Sequence, residues 1–537
     1  MVAKRKIAIL GAGASGLTAI KCCLDEGLEP VCFERSEDIG GLWRYTEEVI
    51  DDQACVAKST VINTSKEMMC YSDFPIPKEF PNYMHNTYVM KYFRLYVDKF
   101  DLAKHIRFKT TIGSVKKAEN YSQTGKWVLE LTNLNTNEET NETFDAVLVC
   151  TGHHAEKNIP TFPGLEKFKG RVLHSHEYKH VRGYEDKNVL IVGIGNSGGD
   201  AAVEISRVSK QVYLSTRRGA WILNRVGQNG VPLDLIFTNR FSDVLRKVVP
   251  TPILMSLAEG QVESRFNHEK YSLKPQHRIF QQHPTVNDDL PNRIICGAVQ
   301  IRPDIKQFTE NGVEFDDGTT INDLDVVILA TGYKFGFPFL DKDVIEVIEN
   351  KVNLFKFVWN PDLEHPTMAF IGFFQPLGAI NPIAELQCRW AASVFKGDLK
   401  LPSKELMWAD IKRKQGEMAE RYYNSKRHTI QVDFVSFMDE LAEQIGCKPD
   451  IWKLFKEDPR LALKCLFGPC MPYQYRLVGR NSWPGAKVAI QTLWERVDAP
   501  LKTRPTGNKP TSGTTRFIFQ CFLVLIIAYI FKIIFGF

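Results

Sequence analysis

Residues 6–16 read KIAILGAGASG, an apolar run that passes directly into closely spaced glycines. The run KIAIL is short and continuous, which is typical of a parallel strand that is buried on both faces. Residues 17–26 favour a helix, and residues 29–34 (EPVCFE) favour a second strand. This order predicts a βαβ unit that carries its glycines where the first strand turns into the helix.

The turn residues suit the binding of a dinucleotide. Gly11 would make the tight turn, Gly13 would let backbone N–H groups approach a pyrophosphate, and Gly16 would let helix and strand pack closely. The phosphates would lie at the positive end of the helix, next to Ser15. One such turn is a weak signal, because this glycine spacing also recurs by chance.

A second copy of the unit begins at Asn188 and makes the signal much stronger. Residues 188–193 (NVLIVG) predict a strand, residues 199–209 a helix and residues 211–215 (QVYLS) the next strand. The turn between this strand and helix contains Gly193, Gly195, Asn196, Ser197 and Gly198. Two such units in one chain predict two dinucleotide sites.

Two further apolar strands end in Thr-Gly, namely residues 144–152 (FDAVLVCTG) and residues 325–332 (DVVILATG). Each of them closes a segment that one of the glycine turns opens. We therefore predict an α/β fold with two doubly wound, Rossmann-like domains. The second domain would be inserted into the first, with the chain returning near Thr331 and Gly332.

The ends of the second strands distinguish the two ligands. Glu34 ends the second strand of the first unit, where a carboxylate accepts hydrogen bonds from ribose hydroxyls and repels a 2′-phosphate. The matching positions in the second unit are Ser215, Thr216 and Arg217, with no acid. The guanidinium fork of Arg217 pairs well with phosphate. The first site therefore suits FAD or NAD and the second suits NADPH, a combination found in flavin oxidoreductases.

The predicted organisation follows from these positions. An NADPH-binding domain would be inserted into an FAD-binding domain, and a region rich in helix formers would pack outside the sheets. The predicted parts are 1–165 (first part of the FAD-binding domain), 166–330 (NADPH-binding domain, with an insertion at about 219–293), 331–445 (second part of the FAD-binding domain and helical cover), 446–502 (C-terminal region), 503–515 (linker) and 516–537 (membrane anchor).

The C-terminal residues 517–537 (FIFQCFLVLIIAYIFKIIFGF) are apolar apart from Gln520 and Lys532. Their length matches a helix that crosses a bilayer, and residues 503–515 have the composition of a linker. Positive charge precedes the apolar stretch at Lys502, Arg504, Lys509 and Arg516. This charge favours a catalytic body on the cytoplasmic side of a membrane. A buried or interfacial helix is the alternative.

Composition narrows the classes of function. The net charge of +5 is small for 537 residues, and no basic run is interleaved with aromatic residues, so nucleic-acid binding has no support. The 12 cysteines are scattered and no pair has CxxC spacing, so we expect a reduced protein without a metal site. A flavin disulfide reductase would need a redox-active pair close after the first glycine turn, whereas Cys22 and Cys23 are adjacent within a predicted helix.

Residues 168–178 (FKGRVLHSHEY) match the FxGxxxHxxx[YF] signature that flavin-containing monooxygenases carry between their two glycine turns. Further stretches look like the same family, namely residues 39–44 (IGGLWR), 63–67 (NTSKE), 80–82 (FPN), 330–333 (ATGY) and 375–378 (QPLG). The resemblance covers essentially the whole chain, including its apolar tail. The organisation is similar to that of the vertebrate microsomal enzymes of the dimethylaniline monooxygenase (N-oxide-forming) type.

The resemblance implies a membrane-attached monooxygenase that uses FAD, NADPH and O2. In the family NADPH reduces FAD, the reduced flavin captures O2 as a C4a-hydroperoxide, and the retained NADP+ shields this intermediate from water. A soft nucleophilic nitrogen or sulfur of a small, xenobiotic-like substrate then takes up one oxygen atom. The resemblance also implies the endoplasmic reticulum (microsomal) membrane, with catalytic domains facing the cytosol, and is compatible with a homo-oligomer there.

The resemblance also assigns roles to single residues. The side chain of Asn63 would lie near the flavin ring and the nicotinamide as the catalytic residue, because its amide offers a donor and an acceptor without a strong acid. From the sequence alone, a loop-capping asparagine is equally compatible. His174 would link the two lobes structurally rather than transfer protons. Cofactor contacts are further implied for Gly41, Leu42, Trp43 and Thr64.

Three alternatives stay open. A related subclass adds oxygen to ketones in a Baeyer–Villiger oxidation, and its signature usually closes with Trp where this chain has Tyr178, which favours heteroatom oxygenation. An NADPH oxidase that releases H2O2 would use the same scaffold, as would an inactive, membrane-tethered flavoprotein that serves as a binding partner.

Residues 282–291 (QHPTVNDDLP) lie in the insertion, where we expect them to help shape the substrate entrance.

Overall fold

A computed structural model describes residues 4–154, 156–421 and 429–505 of the chain. Within these ranges no helix is both long enough and apolar enough to cross a bilayer. The apolar stretch at residues 516–537 and most of the expected linker lie outside the described residues. The membrane anchor therefore stays a prediction.

The first lobe is built on a five-stranded sheet in which all neighbouring strands run parallel. Its strands, in spatial order, are Met368–Phe370, Ala146–Val149, Lys6–Leu10, Glu29–Phe33 and Ile106–Arg107. The central strand Lys6–Leu10 is buried over its last four residues, which explains its unbroken apolar run. The helix Ala14–Asp25, here called the first glycine helix, packs between this sheet and helix Asn381–Lys396.

The second lobe repeats this architecture. Its sheet also has five parallel strands, which in spatial order are Val299–Arg302, Gln211–Ser215, Asn188–Val192, Val326–Leu329 and Arg171–His174. The second glycine helix, Asn196–Ile205, follows the central strand and packs on the sheet. The predicted α/β architecture with two strand–glycine turn–helix units is thus confirmed.

The chain crosses between the lobes twice, and the two crossings pair with each other. Strand Glu156–Lys157 leaves the first lobe and runs antiparallel to strand Tyr333–Lys334, which returns from the second lobe. Beside them, Asn158 Nδ2 donates to Thr331 O at 3.0 Å, and Thr331 Oγ1 donates to Asn158 O at 2.5 Å. The second lobe is therefore inserted into the first, and the chain returns at Thr331 as the sequence predicts.

Smaller sheets decorate the lobes, and no motif in the sequence predicted them. The first lobe carries a three-stranded antiparallel sheet of Thr110–Lys117, Trp127–Asn133 and Glu138–Phe144. The second carries one of Ile305–Thr309, Gly312–Phe315 and Thr320–Ile321. Two short parallel pairs join Ile222–Leu223 to Thr285–Val286 and Gln375–Pro376 to Gln431–Val432.

The remaining α-helices cover the two lobes. Three precede the second lobe, namely Lys66–Met69, Asn86–Phe100 and Tyr121–Thr124. The insertion and the residues just after it form Leu233–Phe237, Arg240–Val248, Thr251–Glu263 and Leu290–Ile295. The C-terminal part forms Lys404–Arg421, Phe434–Ile445, Ile451–Glu457, Pro459–Phe467, Ala486–Gln491 and Leu493–Asp498. In helix Lys404–Arg421 the buried residues are Met407 and Ile411, as expected for a helix that packs outside the sheets.

Buried ion pairs tie the C-terminal region to the first lobe. Arg476 Nη2 lies 2.7 Å from Glu385 Oε1 and 2.9 Å from Asp73 Oδ2, and all three side chains are almost completely buried. Arg496 Nε lies 3.0 Å from the buried Glu67 Oε1. Removal of one partner would leave an uncompensated buried charge, so these pairs fix where the C-terminal region sits.

Candidate functional site

A cavity of about 4400 Å³ lies where both central strands end and turn into their glycine helices. A typical pocket for one small ligand has roughly 300–1000 Å³, so this cavity has room for two dinucleotides and a substrate. Of the residues that the sequence predicted for the site, Gly16 alone is not on its wall. The lining residues among them are Gly11, Gly13, Ser15, Glu34, Gly41, Leu42, Trp43, Asn63, Thr64, Gly193, Gly195, Asn196, Ser197, Gly198, Ser215, Thr216, Arg217, Thr331 and Gly332.

The first glycine turn has the geometry of a phosphate cradle. Gly11 has φ +98°, which favours glycine, and a Cβ on Gly16 would lie 1.8 Å from Gly11 O. Gly16 therefore serves the close packing of helix on turn, which explains why it does not reach the cavity. Gly13 is the N-cap of the first glycine helix, and no side chain of the described residues caps that end. The first-turn N–H groups are available to an anion.

Glu34 is held at the rim of this turn by two backbone amides. Its Oε2 accepts from Ala12 N and its Oε1 from Ser36 N, each at 2.8 Å. Every carboxylate oxygen can accept more than one hydrogen bond, so both retain capacity for ribose hydroxyls. This geometry fits the ribose of FAD at the first site.

The second glycine turn repeats this geometry, and it differs from the first in having open space around its middle glycine, Gly195. Gly193 has φ +107°, and a Cβ on Gly198 would lie 1.9 Å from Gly193 O, so both are needed by the protein itself. A Cβ on Gly195 would meet no atom within 4 Å in the part of the chain described. Gly195 therefore leaves open space that suits the close approach of a pyrophosphate.

The segment after the second strand presents two guanidinium groups to the cavity, those of Arg217 and Arg218. Ser215 is buried and its Oγ donates to Pro303 O at 2.7 Å, so its proton is already used. Thr216 Oγ1 accepts from Gly219 N at 3.1 Å. Arg217 is exposed and lines the cavity, and its guanidinium has the chemistry that pairs with a phosphate. Burial raises the pKa of the nearby Asp304 carboxyl, and the charge of Arg217 counteracts this rise.

Asn63 is oriented by an arginine that the sequence did not single out. Arg225 Nη2 donates to Asn63 Oδ1 at 2.7 Å, and Arg225 Nη1 pairs with Asp288 Oδ2 at 2.9 Å. Among the described residues, Asn63 Nδ2 has no acceptor, so the amide presents its donor to the cavity. Arg225 lies in the insertion without a motif around it, and no sequence signal could have paired it with Asn63.

Residues 282–291, for which the sequence predicts a place at the substrate entrance, contact the second glycine turn and its helix. Val286 N donates to Asn196 Oδ1 at 2.9 Å, at the start of the second glycine helix. Thr285 Oγ1 donates to Ile194 O, inside the second glycine turn. Together with the Asp288–Arg225 pair, these bonds connect the segment to both the second turn and Asn63.

Two carboxyl groups in the cavity wall have pKa values raised to about 6, and sequence reasoning missed both. Burial raises the pKa of Asp234 to about 6, and its Oδ2 accepts from Ser65 N at 2.6 Å, two residues after Asn63. Burial likewise raises the pKa of Asp200 to about 6, where it accepts from Asn287 Nδ2 at 2.9 Å. Asp234 lies in the insertion without a motif around it, whereas Asp200 directly follows the second glycine turn, whose glycine pattern assigns no role to a carboxyl there.

His174, for which the resemblance implies a structural link between the lobes, contacts the chain crossing that returns to the first lobe. Its Nε2 lies 3.1 Å from Gly332 O, on the returning crossing. Burial lowers its pKa to about 4, so the ring is neutral near pH 7. A neutral imidazole that is occupied by a backbone carbonyl suits a structural link. Within the described ranges no group of three or more His, Cys, Asp or Glu side chains could hold a metal ion.

Comparison with known proteins places this geometry in context. The sequence profile of a family described as flavin-binding monooxygenase-like matches residues 4–535. "Flavin-containing monooxygenase 5" of Mus musculus is 54% identical, over 96% of each chain. "Flavin-containing monooxygenase 5" of Cavia porcellus is 52% identical, over 98% of each chain. "Dimethylaniline monooxygenase [N-oxide-forming] 2" of Oryctolagus cuniculus is 46% identical, over 98% of this chain and 99% of its own.

Solved structures share the fold at low sequence identity. S-allyl-L-cysteine S-oxygenase from Allium sativum aligns with a TM-score of 0.63 at 23% identity, over 92% of this chain and 99% of its own. Cyclohexanone monooxygenase with bound cyclohexanone aligns with a TM-score of 0.59 at 15% identity, over 82% and 98%. These likenesses concern the arrangement of the two lobes.

Proposed function

The chain belongs to the flavin-binding monooxygenase-like family, and on this premise we propose that it oxygenates nucleophilic nitrogen or sulfur atoms of small molecules. As a member of the family it is a monooxygenase that uses FAD, NADPH and O2. FAD, when bound, supplies the redox chemistry and the activation of O2 that amino-acid side chains lack. The side chains of the protein bind and orient the cofactors and the substrate and shield them from water.

The observation that carries this proposal is the shared cavity. Two glycine turns face it, each at a helix start that no side chain of the described residues caps, and Asn63 lies on its wall. Glu34 fits a ribose without a 2′-phosphate at the first turn, and Arg217 fits a 2′-phosphate at the second. On this basis the proposal has FAD in the first lobe and NADPH in the second.

Asn63 supports oxygen transfer without acting as an acid. Because Arg225 occupies its Oδ1, the amide offers an N–H donor from a fixed direction. An amide donor stabilises a developing negative charge but does not release its proton. A carboxylic acid at this position would promote loss of peroxide instead, so the amide favours transfer of oxygen to the substrate.

Heteroatoms are the proposed target, and a carbonyl carbon is the alternative. The signature of this chain ends in Tyr178 rather than Trp. One relative is named for forming the N-oxide of dimethylaniline, and one structural neighbour is an S-oxygenase. Cyclohexanone monooxygenase has the same fold, so the scaffold is compatible with ketone oxidation as well.

A competition experiment separates these two chemistries. The FAD-loaded protein would receive NADPH, O2, and equal concentrations of a thioether and a cyclic ketone. We expect sulfoxide to form at least about tenfold faster than lactone, because a soft sulfur attacks the oxygen directly and needs little help from side chains. Lactone as the major product would replace the heteroatom proposal with the Baeyer–Villiger alternative.

Attachment to the endoplasmic reticulum membrane, with both lobes in the cytosol, is part of the proposal. Residues 516–537 have the length and apolarity of a spanning helix, and the basic residues before them favour a cytosolic catalytic body. Large apolar side chains are exposed on the C-terminal helices at Trp452, Val488, Trp494 and Leu501. Such side chains close to the end of the described chain support a membrane-facing surface.

A further inference from the structure

Residues 47–62 of the first lobe, here called the bridge segment, lie across the second lobe. Ile50 O accepts from His176 Nε2 at 3.2 Å, and Lys58 N donates to Lys179 O at 2.8 Å. Glu47 pairs with Arg182 at 2.8 Å. The bridge segment therefore contacts the end of the family signature and the residues that come directly after it.

The far end of the bridge segment returns to the first lobe and delivers Asn63. Asn86 N donates to Thr60 O at 3.0 Å, and Ile62 N donates to Met84 O at 2.9 Å. Asn63 follows directly. A single stretch of chain thus contacts both lobes and ends at the proposed catalytic amide.

Glu204 joins the bridge segment to the nucleotide helix. It lies on the second glycine helix, Asn196–Ile205, and its Oε2 accepts from Ser59 Oγ at 2.5 Å and from Tyr178 Oη at 2.9 Å. Burial and the charge of Glu204 raise the pKa of Tyr178, so its hydroxyl keeps its proton and stays a donor. One carboxylate oxygen therefore holds together the signature, the second glycine helix and the bridge segment.

We propose that Glu204 is a positioning residue for oxygenation, which fixes the bridge segment, and with it Asn63, relative to the bound nicotinamide nucleotide. The inference rests on the proposed function, because it takes the second turn as the NADPH site and Asn63 as the amide that faces the flavin. Glu204 acts through Ser59 and touches no reacting atom in this scheme.

A defined failure follows when this link is removed. FAD and NADPH keep their own contacts, so NADPH is still oxidised. Asn63 is held less well, and the electrons leave as peroxide through the reaction NADPH + H⁺ + O2 → NADP⁺ + H2O2. The share of NADPH that yields H2O2 should therefore rise, while the KM for NADPH and the rate of NADPH oxidation change little.

Ser59→Ala, Glu204→Ala and the double variant test the link. Each single change should raise the H2O2 formed per NADPH about threefold to tenfold, the factor that a hydrogen bond of ordinary net strength supplies. The double variant should be no worse than Glu204→Ala, since both changes remove the same contact. Glu310→Ala, which removes an exposed carboxylate paired with Lys169 at 2.7 Å, is the matched control.

Further readouts separate positioning from loss of structure. FAD content, the melting temperature and the Kd for NADP⁺, measured by titration of the FAD-loaded protein, should stay close to wild type in Ser59→Ala, whose side chain is exposed. Glu204→Gln keeps an acceptor oxygen in place and should restore the peroxide fraction to within about twofold of wild type.

The inference and the proposed function fail in different ways. A wild-type protein that forms no oxygenated product would refute the proposed function. A wild-type protein that forms it, with variants whose peroxide fraction is unchanged, would refute the role of Glu204 alone. Additive effects of Ser59→Ala and Glu204→Ala on the peroxide fraction would also refute that role. So would a Glu204→Gln variant whose peroxide fraction is as high as that of Glu204→Ala.

Discussion

Arg225 Nη2 donates to Asn63 Oδ1 across 2.7 Å and so joins the insertion of the second lobe to the proposed catalytic amide of the first. The same guanidinium pairs with Asp288 at 2.9 Å, which sets its position from within the second lobe. The Asn63 amide therefore has one preferred orientation, with its acceptor occupied and its donor facing the cavity. Without Arg225 the amide could rotate and present its oxygen instead.

Arg225→Ala should impair oxygenation far more than it impairs cofactor binding. Hydrogen bonds from a charged group are worth roughly 1.5–3 kcal/mol, so we expect kcat for sulfoxide formation to fall about tenfold or more. FAD content should be unchanged, because the first glycine turn and Glu34 are untouched. Arg460→Ala, an exposed arginine on helix Pro459–Phe467, is the control. A wild-type kcat in Arg225→Ala would show that Asn63 needs no such partner.

Two glycines of the second turn should respond to alanine in opposite ways. A Cβ on Gly195 meets no described atom within 4 Å, so Gly195→Ala should fold with a wild-type melting temperature yet bind NADP⁺ at least about tenfold more weakly. A Cβ on Gly198 would lie 1.9 Å from Gly193 O, so Gly198→Ala should lower the melting temperature. Tight NADP⁺ binding by Gly195→Ala would place the nucleotide elsewhere.

Arg217→Ala should change the choice of cofactor. Loss of its charge-assisted contacts, worth roughly 1.5–3 kcal/mol, should weaken the binding of NADPH by about tenfold or more and leave the binding of NADH nearly unchanged. The KM values for both nucleotides give the answer, with the neighbouring Arg218→Ala as a matched comparison. Equal weakening of NADPH and NADH would mean that Arg217 does not read the 2′-phosphate.

Asp234 should make the protein less stable as pH rises. Its pKa of about 6 lies above the ordinary value of 3.8, so the folded chain holds this proton more tightly than the unfolded chain. Its contribution to stability is therefore lost as pH rises from about 4 through about 6. Asp234→Asn should remove this loss. The difference in free energy of unfolding between the variant and wild type should therefore be roughly 2–3 kcal/mol more favourable to the variant at pH 7.5 than at pH 4.

Urea unfolding at both pH values measures the Asp234 effect. The exposed Asp316→Asn is the control, because that carboxyl lies on the surface. A stability difference between Asp234→Asn and wild type that is the same at pH 4 and pH 7.5 would show that the Asp234 carboxyl titrates normally.

A chain that ends at Thr515 should be released from membranes with its FAD intact. The apolar stretch is removed, whereas both glycine turns and the ion pairs of Arg476 and Arg496 are kept. Sedimentation of the truncated and full-length proteins with vesicles measures the difference. A truncated chain that still sediments would point to the exposed side chains around Trp452 and Val488 as a second attachment.

Local motifs made the two nucleotide turns predictable from the sequence. The positive φ of Gly11 and Gly193, the packing of Gly16, and the carboxylate of Glu34 beside the turn all depend on residues within one βαβ unit. A pattern that spans one unit carries its own geometry. The α/β fold and the inserted second lobe could therefore be expected before the structure was known.

Contacts between distant parts of the chain could not be predicted in this way. Arg225 meets Asn63, and Glu204 meets Ser59, only because the insertion and the second glycine helix fold against the bridge segment. The Ser215 hydroxyl, at one of the positions named for the second nucleotide site, donates to Pro303 O, which comes much later in sequence. Such pairings depend on packing between lobes, and no local pattern encodes them.

Turnover under ¹⁸O2 tests the central claim most directly. The FAD-loaded protein, NADPH and a thioether should give one sulfoxide carrying one ¹⁸O atom per NADPH consumed, with the second oxygen atom released as water. Formation of one H2O2 for each NADPH consumed, with no labelled sulfoxide, would contradict the account. The protein would then be an NADPH oxidase on a monooxygenase fold, and the role assigned to Asn63 would be wrong.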